Sequence, residues 1–251
     1  MTAQPPKYRL DRRDVAYLTA IAMTGWRGVG LDRDAARILR SHHPSPLARG
    51  TEHLPRAGGF LVVANHHQRP GMWIGWPGSV VAAAINAVQP QRTPVRIVVT
   101  DSQRTRLFGK ERTIPFSRFF FGRIARAWDM IPIPADRENT AGQANALRAV
   151  LKALGAGQPV LFFPEGERGT AAGVIDALPG TGTFLVLCSR RAPIIPCAFW
   201  EEGAQLIAQF GPPLTLISRD DADVRKQAMT TIARMLPPHM RGAYAPFIEP
   251  G

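Results

Sequence analysis

Lysine is scarce in this 251-residue chain. It occurs only at positions 7, 110, 152 and 226, so arginine carries nearly all of a net charge of +12. Cysteine is scarcer still, limited to Cys188 and Cys197. Two thiols with no metal-ligand spacing around them argue against a disulfide scaffold and a zinc site, and reduced cysteines are expected. No apolar run approaches the roughly 20 residues that a membrane-spanning helix needs. The opening MTAQPPKYRLDRRD is polar and charged, unlike a secretory signal. No GxSxG elbow occurs, which argues against a serine hydrolase of that type. No P-loop occurs, and no GxGxxG follows a strand, which argues against the common nucleotide-binding loops.

What is present is an ordinary globular composition, 45% apolar and 20% charged. The length suits one domain with a helical appendage, taken here as a helical segment 1–45 and an α/β domain 46–251. The basic excess favours anionic partners: nucleic acid, anionic lipid or a phosphorylated small molecule. An arginine-biased genome would produce part of the same excess, so position matters more than the total.

Residues 1–10, with Pro5-Pro6 and few apolar groups, read as disordered. Asp11 or Asp14 starts a helix to about Ala22, with Val15, Leu18, Thr19 and Ala22 on one face. Asp32 to Leu39 reads as a second helix. Phe60 to Ala64 (FLVVA) is a buried strand that stops at Asn65-His66-His67. Met72 to Val88 is an apolar helix and Val95 to Thr100 a second strand. Met130 to Pro134 is a short strand, and Ala141 to Leu154 a helix burying Ala144, Leu147, Val150, Leu151 and Leu154. Val160 to Phe163 is a strand ending at Pro164-Glu165-Gly166-Glu167-Arg168-Gly169. Gly180 and Gly182 open a helix through Cys188. Pro193 to Phe199 is a further strand, Leu214 to Leu216 a short edge strand, and Asp223 to Leu236 a final helix. Strands alternating with helices predict an α/β fold: a mostly parallel central sheet flanked by helices, with an N-terminal helical segment.

Between Arg104 and Arg126 seven basic residues stand against one acidic residue, Glu111, together with five of the twelve phenylalanines. Rings beside arginines suit a membrane interface. They also suit single-stranded nucleic acid, or a packing helix with a solvated outer face.

Three strand ends carry polar clusters: Asn65-His66-His67, Asp136-Arg137, and Glu165 to Arg168. Open α/β sheets place their chemistry at such ends. A histidine there is suited to take a proton near neutral pH, and arginines to bind phosphate through their planar forks. Glu165 is suited to the hydroxyls of a polyol.

Together these segments resemble the glycerolipid acyltransferases, the lysophosphatidic acid acyltransferase-like family with its phospholipid/glycerol acyltransferase domain. That family's first motif, Asn-His followed by four residues and Asp, corresponds to Asn65-His66. Its FPEG-plus-Arg motif corresponds to Phe163 to Arg168, its VPIVPV-like strand to Ala192 to Cys197, and its GxENLP lead-in to Gly50 to Pro55. Arg137 corresponds to the Arg of the second motif. The resemblance spans residues 48 to 213 and implies an acyltransferase in which His66 is the general base. Asn65, Arg137, Glu165, Gly166 and Arg168 would bind substrate. It implies no metal and no cofactor beyond acyl-CoA or acyl-carrier protein as donor substrate. The implied partners are a lysophospholipid acceptor, the acyl donor and an anionic membrane surface, without nucleic acid. The implied location is cytoplasmic, peripheral on the inner face of the cell membrane.

One position departs from the family. Five residues after His66 stands Gly71, and counting from His67 gives Met72, so the acid of the usual pair is missing from this loop. Either Asp101 or Glu52 takes its place, or His66 works unassisted, or the chain has kept lipid binding and lost the reaction.

Overall fold

The computed structural model of the chain describes residues 8, 10–26, 30–40, 43–73, 75–89, 93–102, 104–107, 110–113, 116–136, 138–166 and 170–248. The fold is α/β. Five parallel strands run side by side: β8 (Ile194–Glu202), β2 (Leu61–Ala64), β7 (Val160–Phe162), β3 (Arg96–Thr100) and β6 (Ile131–Ile133). Beyond β8 the direction reverses. β9 (Gln205–Phe210) returns antiparallel to β8, and β1 (Leu47–Arg49) closes that edge parallel to β9.

β2 sits at the centre and is buried on both faces, which is why its sequence reads as a continuous apolar run. Its side chains alternate between two cores. Phe60, Val62 and Ala64 join the core with α1 (Arg12–Thr24), α2 (Leu31–Arg40) and α3 (Trp76–Val88). Leu61 and Val63 join the other, with α5 (Thr140–Gly155), α6 (Thr181–Ser189) and α7 (Asp221–Met235). β8 alternates in the same way: Ile195, Cys197 and Phe199 face the first core, Ile194, Ala198 and Trp200 the second. Each Val, Leu, Ile or Phe side chain so removed from water contributes about 1.5–3 kcal/mol before entropy is counted.

Several elements differ from the sequence reading. The strand expected to end at Phe199 runs on to Glu202 and turns at Gly203 (φ +59) into β9. Leu214 to Leu216 is not a strand. Segment 104–126, whose secondary structure the sequence left open, holds two kinds of element: β4 (Arg104–Leu107) and β5 (Lys110–Thr113) form an antiparallel hairpin, followed by α4 (Ser117–Ala127). The buried face of α1 is Asp14, Leu18, Ile21 and Ala22, while Val15 is 49% exposed. The stripe was misplaced because buried Asp14 was not counted; Arg37 of α2 neutralises it at 3.0 Å. On α5 the buried set is Ala146, Val150, Ala153 and Leu154, with small alanines where the helix nears its neighbours.

The expected disordered start holds a core residue. Tyr8 is fully buried, and its hydroxyl donates to the Ala204 carbonyl at 2.7 Å. Its own carbonyl accepts the Trp73 N–H at 2.9 Å and the Trp76 indole N–H at 3.0 Å. Among the described residues no helix is long and apolar enough to cross a membrane.

Candidate active site

Strand order decides which strand ends share a site. β2 lies between β8 and β7, so the chain leaving β2 at Asn65 emerges between the ends of those two strands. The β6 end lies two strands beyond β7, at the far edge. Asp136, just past β6, is exposed and accepts the Glu138 N–H at 3.1 Å, a local turn at the start of α5. Arg137 and Arg168, both expected to bind substrate, lie outside the described residues.

Asn65 fixes the exit from β2. Its side-chain NH2 donates to the Phe199 carbonyl at 2.9 Å, and its Oδ1 accepts the Phe199 N–H at 2.7 Å. The amide thus continues the β2–β8 ladder by one rung. That is a buried backbone-matching role, which a resemblance alone does not reveal.

Glu165 does the same on the β7 side. Its Oε2 accepts the His66 backbone N–H at 2.5 Å, and its Oε1 accepts the Ile175 N–H at 2.8 Å. The carboxylate is 1% exposed. It joins three segments, rather than offering both oxygens to a polyol. Gly166 follows at φ +63, where a Cβ would come within 2.9 Å of Leu178. Both facts require glycine at this turn. The Ala171 N–H donates to the Gln68 carbonyl at 2.8 Å, a second tie between the two loops.

His66 is 7% exposed, with its ring centroid 5.0 Å from that of Phe163. Burial pulls its pKa down to about 4, a contact with the Gly166 backbone opposes this, and the charge of His67 adds to the lowering. Near neutral pH the ring is therefore uncharged and has a lone pair to offer. Its Nδ1 is buried without a hydrogen-bond partner among the described residues.

Neither carboxylate suggested for the missing acid reaches His66. Asp101 accepts from Ser102 at 3.0 Å and Ala135 at 3.2 Å, and pairs with Arg118 at 3.0 Å. Glu52 is exposed beside its neighbour His53. Besides Glu165, the carboxylate that enters the site is Glu201, which the sequence does not single out. It lies two residues beyond Phe199 on the same face of β8. Arg69 grips it with Nε at 2.6 Å and a second guanidinium nitrogen at 2.7 Å, and His67 Nε2 stands 3.3 Å away. Burial alone would raise the Glu201 carboxyl; hydrogen bonds and charge from Arg69 and His67 outweigh it and hold the pKa at about 2. The available signal was the pair Glu201-Glu202 at the end of a central strand, close to the placement that singled out His66. No cluster of three His, Cys, Asp or Glu side chains among the described residues could hold a metal ion.

A family model described as Acyltransferase matches residues 46–200, more than half of the chain. A search of curated proteins returned no match. Among solved structures, the crystal structure of the 1-acyl-sn-glycerophosphate (LPA) acyltransferase PlsC from Thermotoga maritima is similar. The TM-score is 0.51 at 16% identity, covering 90% of this chain and 82% of that one. At that identity the likeness is one of fold.

Proposed function

The chain belongs to the acyltransferase family, and on that premise we propose that it moves a fatty acyl group from acyl-CoA or acyl-carrier protein to a hydroxyl. The acceptor is a lysophospholipid or a glycerol-phosphate-type molecule, as in a 1-acylglycerol-3-phosphate O-acyltransferase of phospholipid biosynthesis. The observation that carries this reading is the hydrogen bond between Glu165 and the His66 backbone. It joins the two segments most specific to the family, 99 residues apart, at the ends of neighbouring strands.

In this reading neutral His66 takes the acceptor's hydroxyl proton. The oxygen attacks the thioester carbonyl, a C–O bond forms, the C–S bond breaks, and the proton leaves with the thiolate. No group on the protein is acylated. Arg137 and Arg168 carry charge suited to the acceptor's phosphate, and no cofactor is required beyond the acyl donor.

The protein works at a membrane surface, where its acceptor resides. Phe116 is 77% exposed, Phe119 49% and Phe120 37%, and Trp26 and Met23 are exposed at the end of the adjoining α1. Arg118 and Arg126 are exposed on α4, the helix that Phe116 opens. Rings and guanidinium groups together suit anionic headgroups, and the inner face of the cell membrane is the site proposed.

Gly71 in place of the acid favours a second reading, a catalytically weak or silent member that binds lipid or a partner. Thiol release from acyl-CoA in the presence of lysophosphatidate separates the two. The wild type is expected to release thiol, and His66→Ala to lose at least about 100-fold in rate. Wild-type protein inactive with every acyl donor and lysolipid tried, yet sedimenting with anionic vesicles, would establish the silent reading instead.

A further inference from the structure

The loop after β2 cannot easily regain an acid at residue 71. Gly71 has φ +84, a left-handed conformation that side chains disfavour. Its carboxylate comes across the sheet. Ala64 pairs with Cys197 in the β2–β8 ladder, Asn65 bridges to Phe199, and His67 meets Glu201. The alternation that turns Cys197 and Phe199 toward the first core turns Glu201 the same way, over the loop. Trp200 and Glu202 point to the other face, where Glu202 binds Arg49 at 3.0 Å.

We propose, resting on the acyl-transfer reading above, that Glu201 is a positioning residue that supplies, through His67, the carboxylate missing from the loop at Gly71.

The chemistry follows from donor and acceptor roles. An ionised carboxylate only accepts, so the nitrogen facing it, Nε2 of His67, carries the proton. That orients the His67 ring, with Nε2 toward Glu201 and Nδ1 turned away from it. Nδ1 is buried and unpartnered among the described residues, as is Nδ1 of His66. Two adjacent imidazoles thus present unsatisfied nitrogens in one loop. When His66 takes the acceptor's proton, the ionised Glu201 on the far side of His67 offsets part of the positive charge that the loop gains. Arg69 holds Glu201 ionised and aimed. The other groups facing this cluster are the Tyr8 phenol, pushed up to about 12 and so neutral, and Glu165 beneath His66.

A purely structural account, in which Arg69–Glu201 only pins the loop, differs in what it expects. Under the proposal Glu201→Gln lowers kcat by about ten-fold or more, leaves KM for acyl-CoA within about two-fold, and moves the acid limb of the pH–rate profile to lower pH. Glu201→Asp restores part of the rate. His67→Gln lowers kcat similarly, and the double variant is no worse than either single one, the signature of a coupled pair. An unmoved acid limb with losses that follow only thermal stability would overturn the proposal. A second measurement needs no variant: ring nitrogen-15 spectra of the full-length wild type are expected to show His67 protonated at Nε2. A proton on Nδ1 instead overturns it. If His66→Ala retains activity, the acyl-transfer reading itself fails; if His66→Ala is dead and Glu201→Gln matches the wild type, only Glu201 is wrongly placed.

Discussion

The Glu165 carboxylate accepts the backbone N–H of His66 at 2.5 Å while its other oxygen holds Ile175 at 2.8 Å. The backbone of the histidine is thereby held by a residue in the turn that follows a different strand. Glu165→Ala leaves the buried His66 N–H without an acceptor, at about 1–3 kcal/mol, and the part-buried Ile175 N–H as well. The expected outcome is a lower urea midpoint together with loss of acyl transfer, and Glu165→Gln, which keeps one acceptor oxygen, should lie between. An alanine variant with unchanged midpoint would mean that the carboxylate does not carry this load.

Acidification should weaken the fold in two successive windows. His66 is lowered from 6.5 to about 4, so the unfolded chain takes up its proton first. Stability is full above about 6.5 and falls as pH drops toward 4. Glu201 is lowered from 4.5 to about 2, so its contribution is present above 4.5 and is lost as pH falls through about 2. At about 1.4 kcal/mol per pKa unit, the His66 window is on the order of 3 kcal/mol. Urea titrations from pH 7.5 to 3 should show a steady decline, flattened between 6.5 and 4 in His66→Asn. Stability that rises between pH 7 and 5 contradicts the assignment.

The three α4 arginines should not behave alike. Arg118 and Arg126 are exposed. Arg123 donates to the Met23 carbonyl at the end of α1 and covers the Phe119 ring at 4.2 Å. Charge reversal at Arg118 and Arg126 should reduce sedimentation with anionic vesicles, most clearly at low salt, with thermal stability kept. Reversal at Arg123 should also lower the melting temperature, because it detaches α1. Replacing Phe116 and Phe119 with serine should reduce vesicle binding at any salt. Vesicle binding unaffected by all of these changes would place the membrane contact elsewhere.

The central strands and their order along the chain were legible because their signals are local. An apolar run ended by polar residues gives β2 and β7 without reference to anything distant, and the Asn65-His66 and FPEGER segments carry the family resemblance. The hairpin β4–β5 and strand β9 were missed. The segments that form β4 and β5 are rich in charged residues and carry no apolar run, and they pair with each other. β9 depends on a turn at Gly203 that matters only once β8 is known to continue past Phe199.

By itself, then, the sequence determined the α/β class, the general base candidate and the absence of an acid at residue 71. Periodicity, turn residues and motif spacing are properties of neighbours along the chain. Only the tertiary structure decided that β2 lies between β7 and β8, that Asn65 and Glu165 serve the backbone, and that the Glu201 carboxylate meets the ring of His67 rather than that of His66. His67 and Glu201 are 134 residues apart. Strand order and the two-residue alternation of β8 bring them together, and both are settled by packing against the two cores.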